Sequence, residues 1–216
     1  DVVADALKRS FGYDTFRAGQ REIMDAVLAG RDALALMPTG GGKSLTYQLP
    51  ATLLPGVTVV VSPLIALMKD QVDRLTANGV ASVAITSALD LDERIRRETE
   101  ALAGKYRLCY IAPERLVSPA FLSLLANIHR EQGIALIAVD EAHCITEWGH
   151  DFRPEYRQIG QTRERFRDVP LLALTATATD RVREDIRTQL RLREPIIHIA
   201  SFNRPNLFYD VRAKHR

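Results

Sequence analysis

Six consecutive apolar residues, Ile134–Val139, stop at Asp140 and Glu141. An apolar run of strand length without alternation reads as a strand covered on both faces, as in a parallel sheet held between layers of helices. The rest of the chain repeats the pattern. Val57–Val61 is a β-branched strand behind Pro55-Gly56, and Ala33–Met37, Val80–Ile85, Tyr106–Ile111, Leu171–Leu174 and Ile196–Ala200 are further strand candidates. Helical spacing predicts helices over Ala18–Leu28, Ile65–Asn78, Leu91–Ala103 and Pro119–Arg130, with Gly30, Gly79 and Gly104 as stop signals. Asp180 reads as the cap of a last helix that runs to Leu190. This alternation predicts an α/β fold in one compact domain, a mostly parallel β-sheet with helices on both faces.

Ligands of open parallel sheets sit beyond the carboxyl ends of the strands. After Ala33–Leu36 comes Met37-Pro38-Thr39-Gly40-Gly41-Gly42-Lys43-Ser44, followed by a segment that can be helical. A strand, a glycine-rich turn and a helix N-terminus make an anion site, because free N–H groups and the positive end of the helix dipole face the same point. Lys43 adds a full charge near the terminal phosphates, and the Ser44 hydroxyl can hold Mg²⁺. A bound nucleoside triphosphate is therefore expected. The usual phosphate-loop pattern opens with a glycine where this chain has Met37, so a plain glycine turn with a surface lysine is the bland alternative. Asp140 argues against it, since a carboxylate at the end of a buried strand can hold the Mg²⁺ that bridges phosphates. Glu141 beside it is placed to orient or deprotonate the attacking water. An acidic pair that merely caps the next helix is the alternative there.

Composition narrows the classes. The chain has 216 residues, 46% hydrophobic and 26% charged, which suits an ordinary globular domain with a sizeable core. A formal net charge of +2 gives no global basic field, so any nucleic-acid surface has to be local. Cys109 and Cys144 lie far apart, in or beside apolar runs, and make neither a zinc pattern nor a disulfide framework. A reducing compartment is expected from that usage. No apolar run approaches the ~20 residues of a membrane span, so no membrane partner is expected. Asp1–Asp5 does not read as a signal peptide, and a start without Met is expected of a trimmed or partial chain.

Other segments follow the strands in a telling order. Tyr13 and Phe16-Arg17-Ala18-Gly19-Gln20 precede the phosphate loop. The Gln20 amide can read an adenine edge with one donor and one acceptor, and Tyr13 can stack on the ring. Val61–Met68 with Asp70-Gln71, Ile111–Arg115, and Leu174–Thr179 each follow a strand. Together these segments resemble the ordered motifs of the first RecA-like domain of a superfamily 2 helicase. Met37–Ser44, Ser62–Gln71, Asp140–Cys144 and Ser201–Leu207 are similar to the RecQ subfamily. Ile145-Thr146-Glu147-Trp148-Gly149-His150-Asp151-Phe152-Arg153-Pro154-Glu155-Tyr156 matches its aromatic-rich loop. The resemblance runs from about Tyr13 to Tyr209.

It implies a RecA-like P-loop domain over residues 1–203, with 204–216 leading to a second RecA-like domain. It implies ATP and Mg²⁺ as cofactors, with Tyr13, Arg17 and Gln20 selecting adenine and Pro38–Ser44, Lys43 foremost, around the phosphates. Ser44 and Asp140 would hold Mg²⁺ and Glu141 would be the catalytic base. Ser62, Pro63, Leu64, Pro113, Glu114 and Arg115 would touch the DNA backbone, and Thr175 and Thr177 would link the two sites. For these segments, ordinary turn and cap chemistry is the competing reading. In the family the aromatic-rich loop contacts single-stranded DNA and couples it to ATP hydrolysis. The residues agree: Trp148 and Phe152 offer stacking faces worth ~1–3 kcal/mol per base, and His150 and Arg153 are close enough in sequence to meet phosphates. The competing reading has both aromatics in the core, which a Gly-His-Asp interruption opposes.

By resemblance the protein is expected to be the N-terminal ATPase lobe of a DEAH-box, 3′-to-5′ DNA helicase of repair and recombination. Its partners would be single-stranded DNA, DNA junctions, a second RecA-like domain and C-terminal modules. Its place would be the bacterial cytoplasm and nucleoid, or a nucleus. The arginine finger of such enzymes lies on the second domain, so this lobe is expected to bind ATP weakly, hydrolyse it slowly or not at all, and unwind nothing alone. Two alternatives stay open: a nucleotide-dependent DNA-binding or regulatory module, and an RNA-remodelling DEAD- or DEAH-type lobe.

Overall fold

The computed structural model describes residues 1–38, 40 and 42–200. Thr39, Gly41 and 201–216, which carry part of the phosphate loop, the Ser201–Leu207 motif and the expected interdomain connection, lie outside the described residues. Seven strands form one sheet: β1 Ala33–Leu36, β2 Val57–Val61, β3 Ser82–Ile85, β4 Leu108–Ile111, β5 Ile134–Val139, β6 Leu171–Thr175 and β7 Ile196–Ile199. Their order is β3-β4-β2-β5-β6-β1-β7, and every neighbouring pair is parallel.

Successive strand residues point to opposite faces, and both faces are buried except at the edge strand β7, where Ile197 and Ile199 are exposed. Leu34, Leu36, Val59, Val61, Ile137 and Val139 enter one core layer with Phe121 and Leu125 of α6 (Pro119–Gln132), Ile159 of α7 (Arg157–Arg165), and Val182 and Ile186 of α8 (Asp180–Gln189). Ala33, Ala35, Val60, Leu136, Leu172 and Leu174 enter the other with Ile23 and Val27 of α2 (Gln20–Leu28), Tyr47 of α3 (Leu45–Leu53), and Met68 and Leu75 of α4 (Ile65–Ala77). Each fully buried Leu, Ile or Phe contributes roughly 1.5–3 kcal/mol. The helix α5 (Leu91–Leu102) sits at the β3 side, and α1 (Val2–Ala6) with a π-turn at Leu7–Phe11 packs on Met24, Leu45 and Leu49. The α/β sandwich predicted from the apolar runs is the fold observed.

Local chemistry shifts several predicted boundaries. Gly19 has φ 82°, so α2 starts at Gln20 rather than Ala18. Val80 closes the end of α4 by donating to Leu75 O at 2.9 Å, which leaves β3 to begin at Ser82. Thr179, not Asp180, caps α8: its hydroxyl accepts from Val182 N at 3.3 Å. Helices at Val2–Ala6 and Arg157–Arg165 were not expected, the latter because Ile159 is its sole large apolar residue.

The amino edge of the sheet is pinned by one carboxylate. Asp32 is 3% exposed and accepts from Arg163 Nη2 at 2.7 and 2.8 Å, Leu171 N at 2.9 Å and Arg193 N at 2.7 Å. It thereby joins the starts of β1 and β6, the lead into β7, and α7.

Candidate nucleotide site and aromatic loop

β5, β6 and β1 are neighbours, so Asp140, Thr175 and Met37 stand side by side at the carboxyl edge. Met37 N donates to Thr175 O at 3.1 Å, and Asp140 N donates to Val61 O at 2.9 Å. From Met37 the chain turns through Gly40 (φ 80°) and Gly42 (φ 76°), backbone conformations that favour glycine. A Cβ on Gly42 would meet Gln20 Nε2 at 2.3 Å.

The residues expected to read adenine hold this loop. Gln20 is buried, its Oε1 accepting from Arg17 N at 2.8 Å and its Nε2 donating to Gly42 O at 3.0 Å. The Arg17 guanidinium donates to Gly40 O. Reading an adenine edge through Gln20 therefore requires exchanging bonds that now brace the loop. Tyr13 is exposed, its ring open to stacking, while Pro38, Lys43 and Ser44 are half-buried. Ser44 stands at the N-cap of α3 but makes no capping bond, which leaves its hydroxyl available.

Burial and the neighbouring Glu141 charge raise the Asp140 carboxyl above its ordinary range, and Lys43 partly offsets this. Asp140 Oδ1 accepts from Glu141 N at 2.9 Å, and its carbonyl accepts from the buried Tyr156 hydroxyl at 2.8 Å. A hydroxyl and an ill-neutralised carboxylate are hard oxygen donors that would suit a Mg²⁺ ion. Glu141 has φ 51°, unusual for a residue with a side chain, so the chain breaks sharply away just after the strand.

His143, to which the sequence reading gave no role, connects this site to its surroundings. It is buried, and its Nδ1 lies 2.8 Å from Thr175 Oγ1 and 3.5 Å from Glu141 Oε2. The Thr175 hydroxyl donates to Thr177 O at 3.1 Å, so the bonding network assigns the imidazole proton to Nδ1. Burial and His150 push the His143 pKa down, which keeps the ring neutral at pH 7. His150 stacks on His143 with centroids 4.6 Å apart, and Gly149 presses so closely that a Cβ would lie 2.7 Å from His143 O.

The tip of the loop is at the surface, while Ile145, Thr146 and Tyr156 at its ends are buried. Trp148 is 59% exposed, with the Arg181 guanidinium carbon 3.3 Å from its ring centroid. Phe152 is half-buried beneath Arg157 at 5.2 Å. Arg153 donates to Asp151 at 3.3 and 3.4 Å, so its charge is partnered. His143, Cys144 and Asp151 bring potential ligand atoms within 4.8 Å of one another, but the buried Cys144 thiol is pushed up to about 12 and already faces Asp151 at 3.8 Å.

The other expected DNA contacts follow the neighbouring strands β2 and β4, where Ser62 N donates to Ile111 O at 3.1 Å. The Ser62 hydroxyl is buried and accepts from Leu64 N at 3.2 Å, Pro113 is buried, and Pro63 is half-buried. Arg115 is engaged by Glu98 at 2.8 Å and lies 4.8 Å over Phe121. Leu64, Glu114 and Thr177 reach the surface.

Comparison with known proteins gives the family. The chain is 44% identical over 212 residues to the ATP-dependent DNA helicase RecQ of Pasteurella multocida, covering 98% of this chain and 33% of that protein. It is 43% identical over 205 residues to the probable ATP-dependent DNA helicase RecS of Bacillus subtilis, covering 95% and 40%. The chain thus spans a third to two-fifths of these relatives. Among solved structures, the Pyrococcus furiosus Hef helicase domain shares the fold, with a TM-score of 0.61 at 21% identity over 88% of this chain and 39% of that one. Residues 17–186 match the family described as DEAD/DEAH box helicase, a span that starts at the arginine gripping the phosphate loop and ends within α8. By that match the chain belongs to the DEAD/DEAH box helicase family.

Proposed function

We propose that the chain is the ATP-binding lobe of a RecQ-type, ATP-dependent 3′-to-5′ DNA helicase of repair and recombination, and that the loop around Trp148 contacts single-stranded DNA. One observation carries the reading: a continuous line of contacts from the phosphate-loop strand to the aromatic loop. It runs from Met37 N to Thr175 O, from the Thr175 hydroxyl to His143 Nδ1, and from the His143 ring to His150. Gly40, Gly42 and Lys43 would hold the triphosphate, and Ser44 and Asp140 would hold the magnesium ion. That ion supplies charge neutralisation for the phosphate oxygens. Glu141 orients the attacking water. A base stacking on Trp148 shifts the loop, and with it His150, His143 and the Glu141 carboxylate 3.5 Å away. The second RecA-like domain, the C-terminal modules and DNA junctions belong to the longer protein.

The test is steady-state ATP hydrolysis by this chain, with and without single-stranded DNA, alongside Mg-ATP binding. Binding is expected in the parent and lost in Lys43→Ala, with no DNA-stimulated turnover by the lobe alone. Failure of the parent to bind Mg-ATP would sink the reading. Stimulated turnover that Lys43→Ala abolishes would instead show a site complete without a second domain. A preference for RNA over DNA oligonucleotides would favour the RNA-remodelling alternative.

A further inference from the structure

Five cation–aromatic pairs occur among the described residues. In four of them the cation is also ion-paired: Arg21 with Asp1 and Asp25, Lys105 with Glu100, Arg115 with Glu98, and Arg157 with Glu147. Arg181 has no carboxylate partner among the described residues, although Asp180 beside it is paired with Arg183. Arg181 also sits in the first turn of α8, where a cation opposes the helix dipole. An exposed, unpaired arginine at an unfavourable helix end is held against the loop's one exposed indole.

We propose that Arg181 belongs to the single-stranded nucleic-acid surface. It backs the Trp148 indole, and it offers its charge to the phosphate of the nucleotide whose base stacks on the opposite face of the ring. The inference rests on the proposed DNA-contacting role of the loop and extends it to α8, a helix no sequence motif pointed to. Before DNA binds, the loop backbone beneath the indole is braced, with Trp148 N donating to Thr146 Oγ1 at 3.2 Å and Gly149 against His143 O. The ring is therefore free to pivot chiefly about its own side-chain bonds, and a guanidinium on one face limits that pivot while leaving the other face to a base. A base presents its face only when unstacked, which selects single strands over duplex. Arg157 does not serve in the same way for Phe152, since Glu147 holds it at 3.1 Å.

Trp148 is the only tryptophan of the chain, so emission excited selectively at tryptophan's red edge reports on this residue alone. The experiment compares the parent with Arg181→Ala, Arg181→Lys, Trp148→Ala and the double variant. It reads tryptophan emission without DNA, anisotropy of a labelled single-stranded oligothymidine across a salt series, and thermal midpoints to verify folding. Arg181→Ala is expected to change the emission without moving the midpoint and to weaken oligonucleotide binding about three- to tenfold. Arg181→Lys should restore most of the salt slope but not the affinity, because an ammonium keeps charge without planar stacking. The double variant should bind little worse than Trp148→Ala. If Trp148→Ala weakens binding while Arg181→Ala leaves it unchanged or tighter, the inference about Arg181 is overturned and the DNA-binding loop stands. If neither substitution alters binding, both fall, and the exposed pair is left as a protein contact.

Discussion

Each edge of the sheet holds a carboxylate, Asp32 buried and Asp140 half-buried, and the two are treated in opposite ways. At the amino edge Asp32 is saturated by a buried guanidinium and two backbone N–H groups. At the carboxyl edge Asp140 receives one N–H bond from Glu141, lies next to that residue's charge, and has no ion pair among the described residues. A saturated buried charge holds elements together. An unsaturated one is a standing electrostatic debt that a cation can settle, which is why the same residue type is structural at one edge and a candidate ligand at the other.

The sharpest way to break the comparison is to neutralise each carboxylate. Asp32→Asn strands Arg163 in the interior and should lower unfolding free energy by about 3–5 kcal/mol in urea titrations. Asp140→Asn should leave stability equal to or above the parent at neutral pH. The sign follows from the raised carboxyl pKa: its stabilising contribution is full below the ordinary Asp value of 3.8 and is lost as pH rises through the shifted value. The advantage of Asp140→Asn should therefore shrink as the pH falls through the raised value and be gone once it is below 3.8. Equal losses from both substitutions would end the distinction.

A smaller effect is expected at the phosphate loop. Gly42→Ala combines a left-handed φ with a Cβ 2.3 Å from Gln20 Nε2 and should cost about 1–3 kcal/mol. Adding Gln20→Ala should recover the steric part, and a thermal-melt series on the two singles and the double will show whether it does. Smaller again, Tyr156→Phe removes the bond to Asp140 O and should cost about 1 kcal/mol. Because that bond fixes the strand end rather than the ligand, Mg-ATP affinity should fall less than it does on Lys43→Ala.

Much of the carboxyl edge was legible before any coordinates. Apolar runs placed β5 and β1, and the residues after each run placed Asp140 at a strand end and Lys43 in the glycine-rich turn beyond one, because period and burial are local properties of sequence. The work done by Gln20 and Arg17 was not legible. Both carry donors that suit a nucleotide, but in the folded chain they brace Gly42 and Gly40, contacts more than twenty residues apart in sequence. The surroundings of Arg115 were equally hidden, since a charge beside a strand end gives no sign of Glu98 and Phe121 packed around it.

Sequence by itself determined the layered α/β fold, the glycine turn with its lysine, and the exposed character of Trp148, since each depends on hydrophobic spacing or local backbone chemistry. Tertiary structure alone decided the strand order, the Asp32 anchor 131 residues from Arg163, the His143–Thr175 link and the seating of Arg181 on Trp148. Those depend on which strand ends become neighbours, and that is set by packing the whole chain at once rather than by any segment of it.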